Sequence, residues 1–526
     1  MVIYPPKAPS EPPTVPSRRR TVPPKDRWIG AALALGCLVV MLAHLRLPYP
    51  SDQLNYLTAA ERFPRPVPDA AAVHQVTRFG LIVPTRLAIT VFGYSQAAYH
   101  VVPLLAALAL LLGTYAVGGL LFARPVGAAA AVVVLASTPV AYDSTDLLPD
   151  VLAAGLFTIA LAMAVAIRRR LLSAGPGVLL LLGLLLGWSY LVREFVVFLW
   201  PLVAVLVFRR VRWPGLLWAA APVVALVIAE TLLCWAMYGD PLTRLRSVTG
   251  HGSGPTTPEI AGTFQDKPRH VYLLRLPTTL NDYPEGVWLV LLLGLTLLGG
   301  LLRPRRFAVP VAWLALLWVP LTLLGGIVDP SAPKLRLQLI RYWFPIFPAF
   351  VLGGLGLIWL AALAVRRRAR DRPGARRAAA ALPAAVVLAV AASAAGTAIR
   401  GWWAEPGTRV GGGTQLEAFR SWMARHGDGV PAVWADTHTA KTLTVYREGP
   451  FGGLAWRAEV LRAAPGGFGP RPGDLVLFYD VDQGRVCGSC RKYARLTWGD
   501  PPRPRTGWRE VYATRDGMVR AYRVGP

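Results

Sequence analysis

The chain has 526 residues, 54% of them hydrophobic and only 16% charged, with a formal net charge of +27. A soluble protein of this length would carry more charge and divide into several domains, so that class is excluded. Nucleic acid is not indicated as a partner either, because the arginines cluster in short segments between apolar runs, the pattern that sets membrane topology.

The first 27 residues hold many prolines and several basic residues but no apolar core. They are expected to be a disordered cytoplasmic tail rather than a cleavable signal. Apolar blocks then follow one another, each about twenty residues long and able to cross roughly 30 Å of hydrocarbon as a helix. The predicted spans are 28–46, 97–122, 126–142, 150–167, 177–192, 195–208, 214–237, 286–302, 308–327, 343–365 and 381–399. Basic clusters fall at Arg18-Arg19-Arg20, Arg168-Arg169-Arg170, Arg209-Arg210, Arg303 with Arg305-Arg306, and Arg366-Arg367-Arg368. All of them share one side if about eleven spans start from a cytoplasmic N-terminus. The expected architecture is a polytopic α-helical protein of the cytoplasmic (plasma) membrane. Residues 28–400 would form its transmembrane part, with external loops at 47–96 and 238–285.

In the first loop, Leu54, Leu57, Ala60 and Glu61 predict a short interfacial helix, and Leu81 to Phe92 a second. The second loop carries Gly250, Gly252, Gly254, Pro255 and Pro258, which suits a mobile flap or a plain linker. Residues 401–526 are expected to form a small extracytoplasmic α/β domain. Thr414 to His426 reads as a helix, and Val430 to Ala435 and Asp474 to Tyr479 as buried strands. Trp508 to Ala513 and Met518 to Val524 alternate around Asp516-Gly517, a hairpin signal.

Three constellations carry chemistry. Asp52 follows the first apolar run, within Tyr49-Pro50-Ser51-Asp52-Gln53-Leu54-Asn55-Tyr56. Ionised groups near hydrocarbon are costly and usually face a cavity, a partner or a substrate. On a helix, Asp52 and Tyr56 share a face, with Asn55 beside them. A general base and an N-cap of the interfacial helix are both open readings. Second, Asp143, Asp146 and Asp150 crowd Tyr142 to Asp150, on the side expected for Asp52. Pro149 fits a first helical turn, and Asp150 then favours its positive end. These acids could bind an acceptor, hold a divalent cation, or share base and positioning roles; no cofactor is specified. Third, Arg78, Arg86, Arg193, Arg269 and Arg341 fall where positive charge is disfavoured. Guanidinium forks bind phosphate oxygens bidentately, while snorkelling to headgroups accounts for any single one.

The remaining signals are weaker. Asp480-Val481-Asp482 is expected to be a surface loop. Cys487-Gly488-Ser489-Cys490 is a lone CxxC and a disulfide candidate, with no second pair to complete a zinc site. Cys37 and Cys234 lie in apolar spans and read as packing residues, and His74, His251 and His270 as surface histidines. Glu230 lies within the seventh span.

The order and placement of these motifs resemble the GT-C glycosyltransferases. The resembling branch contains the dolichyl-phosphate-mannose protein mannosyltransferases and the bacterial lipid A aminoarabinose transferases. The resemblance runs from Asp52-Gln53-Leu54-Asn55-Tyr56 through His74-Gln75-Val76-Thr77-Arg78 to Phe92-Gly93-Tyr94-Ser95. It continues through Leu135 to Pro139, Leu148-Pro149-Asp150, Gly187 to Arg193, and Arg341-Tyr342 with Pro345 and Pro348. It implies a polyprenyl-phosphate-linked sugar as donor, and a glycan, lipid or protein as acceptor. Transfer would occur at the outer membrane face, with inversion at the anomeric carbon. Asp52 would match the catalytic base, Asp150 the second acidic position with Asp143 and Asp146 as competitors, and Arg78 the donor-phosphate position. Arg341, Arg193 and Tyr342 would join Arg78 at the phosphate. The chain departs from many relatives by having Phe79-Gly80 after that arginine, where they have two prolines. The rival readings are a transporter or flippase of a lipid-linked or anionic solute, and a non-catalytic envelope-assembly protein on the same fold.

Overall fold

The computed structural model describes residues 24–48, 50–67, 74–249, 262–369, 376–404, 413–448, 456–463, 469–480 and 490–526. The expected tail up to residue 23, the glycine-rich run Gly250 to Pro258 with His251, Val481-Asp482 and Cys487 lie outside those residues. The side chain of Cys490 does too.

The chain is mostly helical. Helix α1 (Pro24–Ala43) leads to α2 (Gln53–Arg62), a 3-10 turn at His74–Thr77 and α3 (Phe79–Phe92). Then come α4 (Gln96–Leu121), α5 (Arg124–Ala136), α6 (Thr138–Asp143), α7 (Pro149–Arg168) and α8 (Pro176–Val192). A 3-10 turn at Glu194–Leu199 enters α9 (Trp200–Tyr238). Short helices α10 (Thr243–Thr249), α11 (Arg269–Leu273) and α12 (Arg275–Asn281) precede α13 (Gly286–Leu302) and α14 (Pro304–Thr322). A 3-10 stretch at Ile340–Ile346 opens α15 (Phe347–Ala369), and α16 (Arg376–Ala404) ends the bundle. Proline marks several starts: α5, α7, α8 and α14 each carry one in the first two helical positions, where its missing N–H costs nothing.

Among the described residues six helical stretches are long and apolar enough to cross a membrane: Gln96–Leu121, Pro149–Arg168, Glu194–Tyr238, Pro304–Ile327, Ile340–Arg368 and Ala380–Trp403. Trp28–Ala43, Phe79–Phe92, Arg124–Ala136, Pro176–Val192 and Gly286–Leu302 are shorter apolar helices. Three expected spans differ in detail. The span at 126–142 is divided at Ser137, because Pro139 has no N–H with which to continue α5 and instead starts α6. The spans at 195–208 and 214–237 merge in α9, whose backbone leaves helical geometry at Arg212 (φ 54°). A straight helix of that length would run about 58 Å, nearly twice the hydrocarbon thickness, so the break at Arg212 divides it at the gap the sequence left. Both helices expected in the first loop are present, as α2 and α3.

Beyond the bundle, α17 (Gly413–His426), β1 (Ala432–Ala435), α18 (Thr437–Glu448), β2 (Glu459–Arg462), β3 (Leu475–Tyr479), α19 (Cys490–Trp498), β4 (Trp508–Ala513) and β5 (Val519–Val524) form a small α/β domain. Its sheet has the order β2-β1-β3-β5-β4. β1 pairs in parallel with β2 and β3, and β5 pairs antiparallel with β3 and β4. Every residue of β1 and β3 is buried, as expected of central strands covered on both faces. The Asp516-Gly517 turn closes the expected hairpin: Gly517 takes φ 68°, and Asp516 accepts hydrogen bonds from Thr514 Oγ1 and Met518 N.

The bundle is closely packed at glycines. A Cβ on Gly127 would lie 2.4 Å from the Tyr115 carbonyl oxygen, whereas one on Gly119 would meet nothing within 4 Å. Gly127→Val should therefore cost about 1–3 kcal/mol of stability and Gly119→Ala close to none, as read by thermal unfolding in detergent.

Candidate active site

Asp52 sits at the N-cap of α2 but makes no side-chain capping bond. Its carboxylate instead accepts a hydrogen bond from Arg341 Nη2 at 2.8 Å, and both side chains keep some exposure, at 30% and 23%. Burial pushes the Asp52 carboxyl up. The charge and hydrogen bond of Arg341, helped by His74 and Arg78, outweigh burial and hold it well below the usual carboxylate range. Asp52 is therefore ionised at neutral pH. His74, expected at the surface, is buried and contributes to this field.

One turn along α2, the Tyr56 hydroxyl accepts from Arg78 Nη1 at 2.6 Å. Burial pushes its phenol up to about 12, so it stays protonated. Arg78 also reaches Glu194 at 3.4 Å. Asn55 is half-buried and gives its backbone N–H to the Asp52 carbonyl. Its side chain is not brought to the carboxylate by any described contact.

The three later acids differ in their partners. Asp150, in the first turn of α7, accepts from Arg193 Nε at 2.7 Å, with both groups buried. The Arg193 guanidinium also lies 4.8 Å from the Tyr342 ring centroid. Arg341 feels both Asp52 and Asp150, so Asp52, Arg341, Asp150, Arg193 and Tyr342 form one neighbourhood. Asp146 accepts from Arg46 Nη2 at 2.6 Å, and burial pushes its carboxyl up to about 6 against the pull of Arg46. Asp143 has one buried oxygen without a hydrogen-bond partner. Burial first, then repulsion from Asp150 and Asp146, pushes it up to about 8, so it is neutral through most of the physiological range.

Among the described residues no group of three or more His, Cys, Asp or Glu is placed to hold a metal ion. Asp146 and Asp150 each spend an oxygen on an arginine instead. The expected pairing of Cys487 with Cys490 lies outside the described residues, and Cys37 and Cys234 are free and buried.

The sequence reading missed several participants. Arg46 was placed at the end of a span. Glu194 neighbours Arg193 and lies 3.6 Å from Arg244. Arg244 also takes the carboxylate of Glu230, which gives that intramembrane acid a structural partner. Glu285 accepts from Thr138 N at 2.6 Å and Thr138 Oγ1 at 2.8 Å, tying the start of α6 to α13. Arg86 bonds the Glu61 carbonyl at the surface, and Arg269 is exposed.

The sheet domain lies at the Asp52 end. Tyr446 Oη donates to the Pro48 carbonyl at 3.2 Å, and α18 packs on α2. His438 and Lys441 of α18 feel Asp52 electrostatically. Burial pushes the His438 imidazole down to about 4, with Lys441 adding to the effect.

No protein-family model matches the sequence, and no curated protein sequence matches it either. Solved structures do match. The crystal structure of ArnT from Cupriavidus metallidurans in the apo state aligns with a TM-score of 0.54 at 13% identity, over 95% of this chain and 99% of that one. The same protein bound to undecaprenyl phosphate aligns at 0.52 and 11% identity, with the same coverage. The fold is therefore similar to that of ArnT. The likeness extends through bundle and sheet domain alike, since it covers nearly the whole of both proteins. The archaeal oligosaccharyltransferase AglB from Archaeoglobus fulgidus aligns more loosely, at a TM-score of 0.46 and 12% identity, over 80% of this chain and 64% of that one.

Two stability predictions follow from the charges. Arg193→Met strands the buried Asp150 charge and should cost about 3–5 kcal/mol, while Asp150→Leu with Arg193→Met should recover much of that loss. For Asp143 the folded value is raised from 3.8 to about 8, so the folded state binds a proton that the unfolded chain has lost. Its contribution is complete below about pH 4 and falls away as pH rises towards 8. Asp143→Asn should flatten the decline of melting temperature between pH 4 and 8, measured by scanning fluorimetry; an unchanged slope would assign that decline to other groups.

Proposed function

We propose that this protein is a membrane glycosyltransferase that moves a sugar from a polyprenyl-phosphate-linked donor to an acceptor hydroxyl. The observation that carries this reading is the part-exposed Asp52–Arg341 pair, in a fold shared with a protein crystallised with undecaprenyl phosphate. In this reading a base and a phosphate ligand stand side by side. The arginine-to-acid pairs around them join residues far apart in sequence, and the sheet domain lies against the same end.

In the proposed reaction the donor phosphate engages Arg341, with Arg78 nearby. Asp52 takes the proton of an acceptor hydroxyl as that oxygen attacks the anomeric carbon. The bond from that carbon to the phosphate oxygen breaks, with inversion, and positive charge develops on the sugar ring. The arginines stabilise the departing phosphate. Phosphate is a weakly basic leaving group, so no strong general acid is needed. Tyr56, kept protonated beside Arg78, adds a hydroxyl donor to this region. Asp150 and Arg193 act as the buried support that sets the position of Tyr342 and the field at Arg341.

The topology that suits this chemistry has about eleven spans. Residues 1–27 would lie in the cytoplasm, 28–400 would form the catalytic part, and 401–526 would lie outside the plasma membrane, over the site. The acceptor would enter between the bundle and the sheet domain, where His438 and Lys441 lie within electrostatic reach of Asp52. The acceptor class, whether glycan, lipid or protein, would be set there.

Mass spectrometry of lipid co-purified with the full chain should show a polyprenyl-phosphate sugar. With that donor supplied, Asp52→Asn should lower turnover by roughly 10²–10⁴-fold while the melting profile stays close to that of the unaltered protein. Near-normal turnover by the variant would remove Asp52 from the chemistry. Arg341→Lys keeps a positive charge but loses the planar fork, and its main effect should be a raised KM for the donor.

A further inference from the structure

At the end of the bundle opposite the acidic cluster lies a cavity of about 1020 Å³. Its rim carries Arg168 and Arg169 from the end of α7, Arg209 from α9, and Arg305 and Arg306 from the start of α14. Asp150 and Arg168 are both on α7, eighteen residues apart, so the two sites are separated by about 27 Å along that helix. Among the described residues none of these five arginines has a carboxylate partner, and no acid lines the cavity. At the other end, Arg46, Arg78, Arg193, Arg244 and Arg341 are each paired with an acid.

Five like charges around one cleft repel each other and focus a strong positive field into it. Orientation of the chain needs arginines on one side of the membrane. It does not need them to converge from three helices on a common cavity. The rest of the wall is apolar, with Phe122, Leu206 and Leu360 among its residues, and Val205, 58% exposed, leaves that wall reachable from the side. Basic pockets between transmembrane helices that offer both headgroup charge and chain contact suit lipid phosphates.

We propose that this cavity binds an anionic phospholipid, its phosphate held by the arginines and its acyl chains lying against Val205, Leu206 and Leu360. The site is separate from the proposed sugar-transfer centre and does not depend on that reading. The bound lipid supplies the missing negative charge and fills the space between α7, α9 and α14.

The test is native mass spectrometry of the full chain released from vesicles containing equal phosphatidylglycerol and phosphatidylcholine. The unaltered protein should retain phosphatidylglycerol in preference. Arg305→Gln with Arg306→Gln should weaken retention by about 25-fold, at roughly fivefold for each arginine removed. Val205→Trp leaves every charge in place and fills the apolar wall, and it should also release the lipid. Arg366→Gln with Arg367→Gln removes the same charge from the end of α15, outside the cavity, and should leave retention unchanged. Equal retention of the two lipids would overturn the proposal, as would equal losses from the cavity and control variants. So would displacement by inorganic phosphate with no effect of Val205→Trp, which would assign the cavity to a free anion.

Discussion

Charge at the edge of a hydrocarbon layer has to be neutralised, and in this protein the neutralising partners are far apart in sequence. Arg341 reaches back 289 positions to Asp52, Arg78 forward 116 to Glu194, and Arg46 forward 100 to Asp146. Each pair closes a large loop of chain, and together they fix the segment from Arg46 to Arg78 against the later helices. Losing one partner strands the other in a medium where an isolated charge costs several kcal/mol. That asymmetry keeps the cluster together, even though each pair taken whole adds little to stability over an apolar substitute. The ordering of α2 and the placement of Asp52 depend on this network more than on local helix propensity.

Much of the fold was legible because membrane helices announce themselves by length and composition. Gly286–Leu302 and Pro176–Val192 coincide almost to the residue with the predicted spans, and the hairpin around Asp516-Gly517 followed from period-two alternation and turn chemistry. The misses have physical causes. A hydropathy run cannot show that Pro139 restarts a helix within an apolar stretch. β2 (Glu459–Arg462) is a short edge strand with exposed ends, so it lacks the apolar signature that gave away β1 and β3. Local sequence gave Asp52 two equal readings, a cap or a functional carboxylate. Only the tertiary contact with Arg341, far along the chain, shows that the side chain is not capping α2. The same limit hid Arg46, Glu194 and Arg244, whose significance lies in what they touch.

The two ends of the bundle treat arginine in opposite ways. At the Asp52 end each described guanidinium of the cluster is matched by a carboxylate, so the field is locally balanced and sensitive to any new anion that competes for an arginine. At the far end the arginines around the cavity are unmatched, and the field is large and of one sign. The first arrangement suits exchange, because a ligand replaces one anion by another at small net cost. The second suits retention, because a ligand there supplies a charge that the protein lacks. Both follow from ordinary side chains; what differs is whether acids accompany the arginines.

That contrast bears on how Asp52 could act as a base at all. A carboxylate held low by a guanidinium is a poor proton acceptor, and Asp52 is held low chiefly by Arg341, against the opposing effect of burial. A phosphate arriving at Arg341 shares that guanidinium, adds negative charge beside Asp52, and removes part of what depresses it. In the proposed reaction the donor therefore raises the basicity of the group that must accept the acceptor's proton. Proton uptake would be favourable only when the donor is in place. Asp150 opposes any loss of Arg341 from the neighbourhood, since it too interacts with that guanidinium while being anchored to Arg193. In the proposed reaction one arginine, shared between a fixed acid, the base and the incoming phosphate, couples donor binding to catalysis.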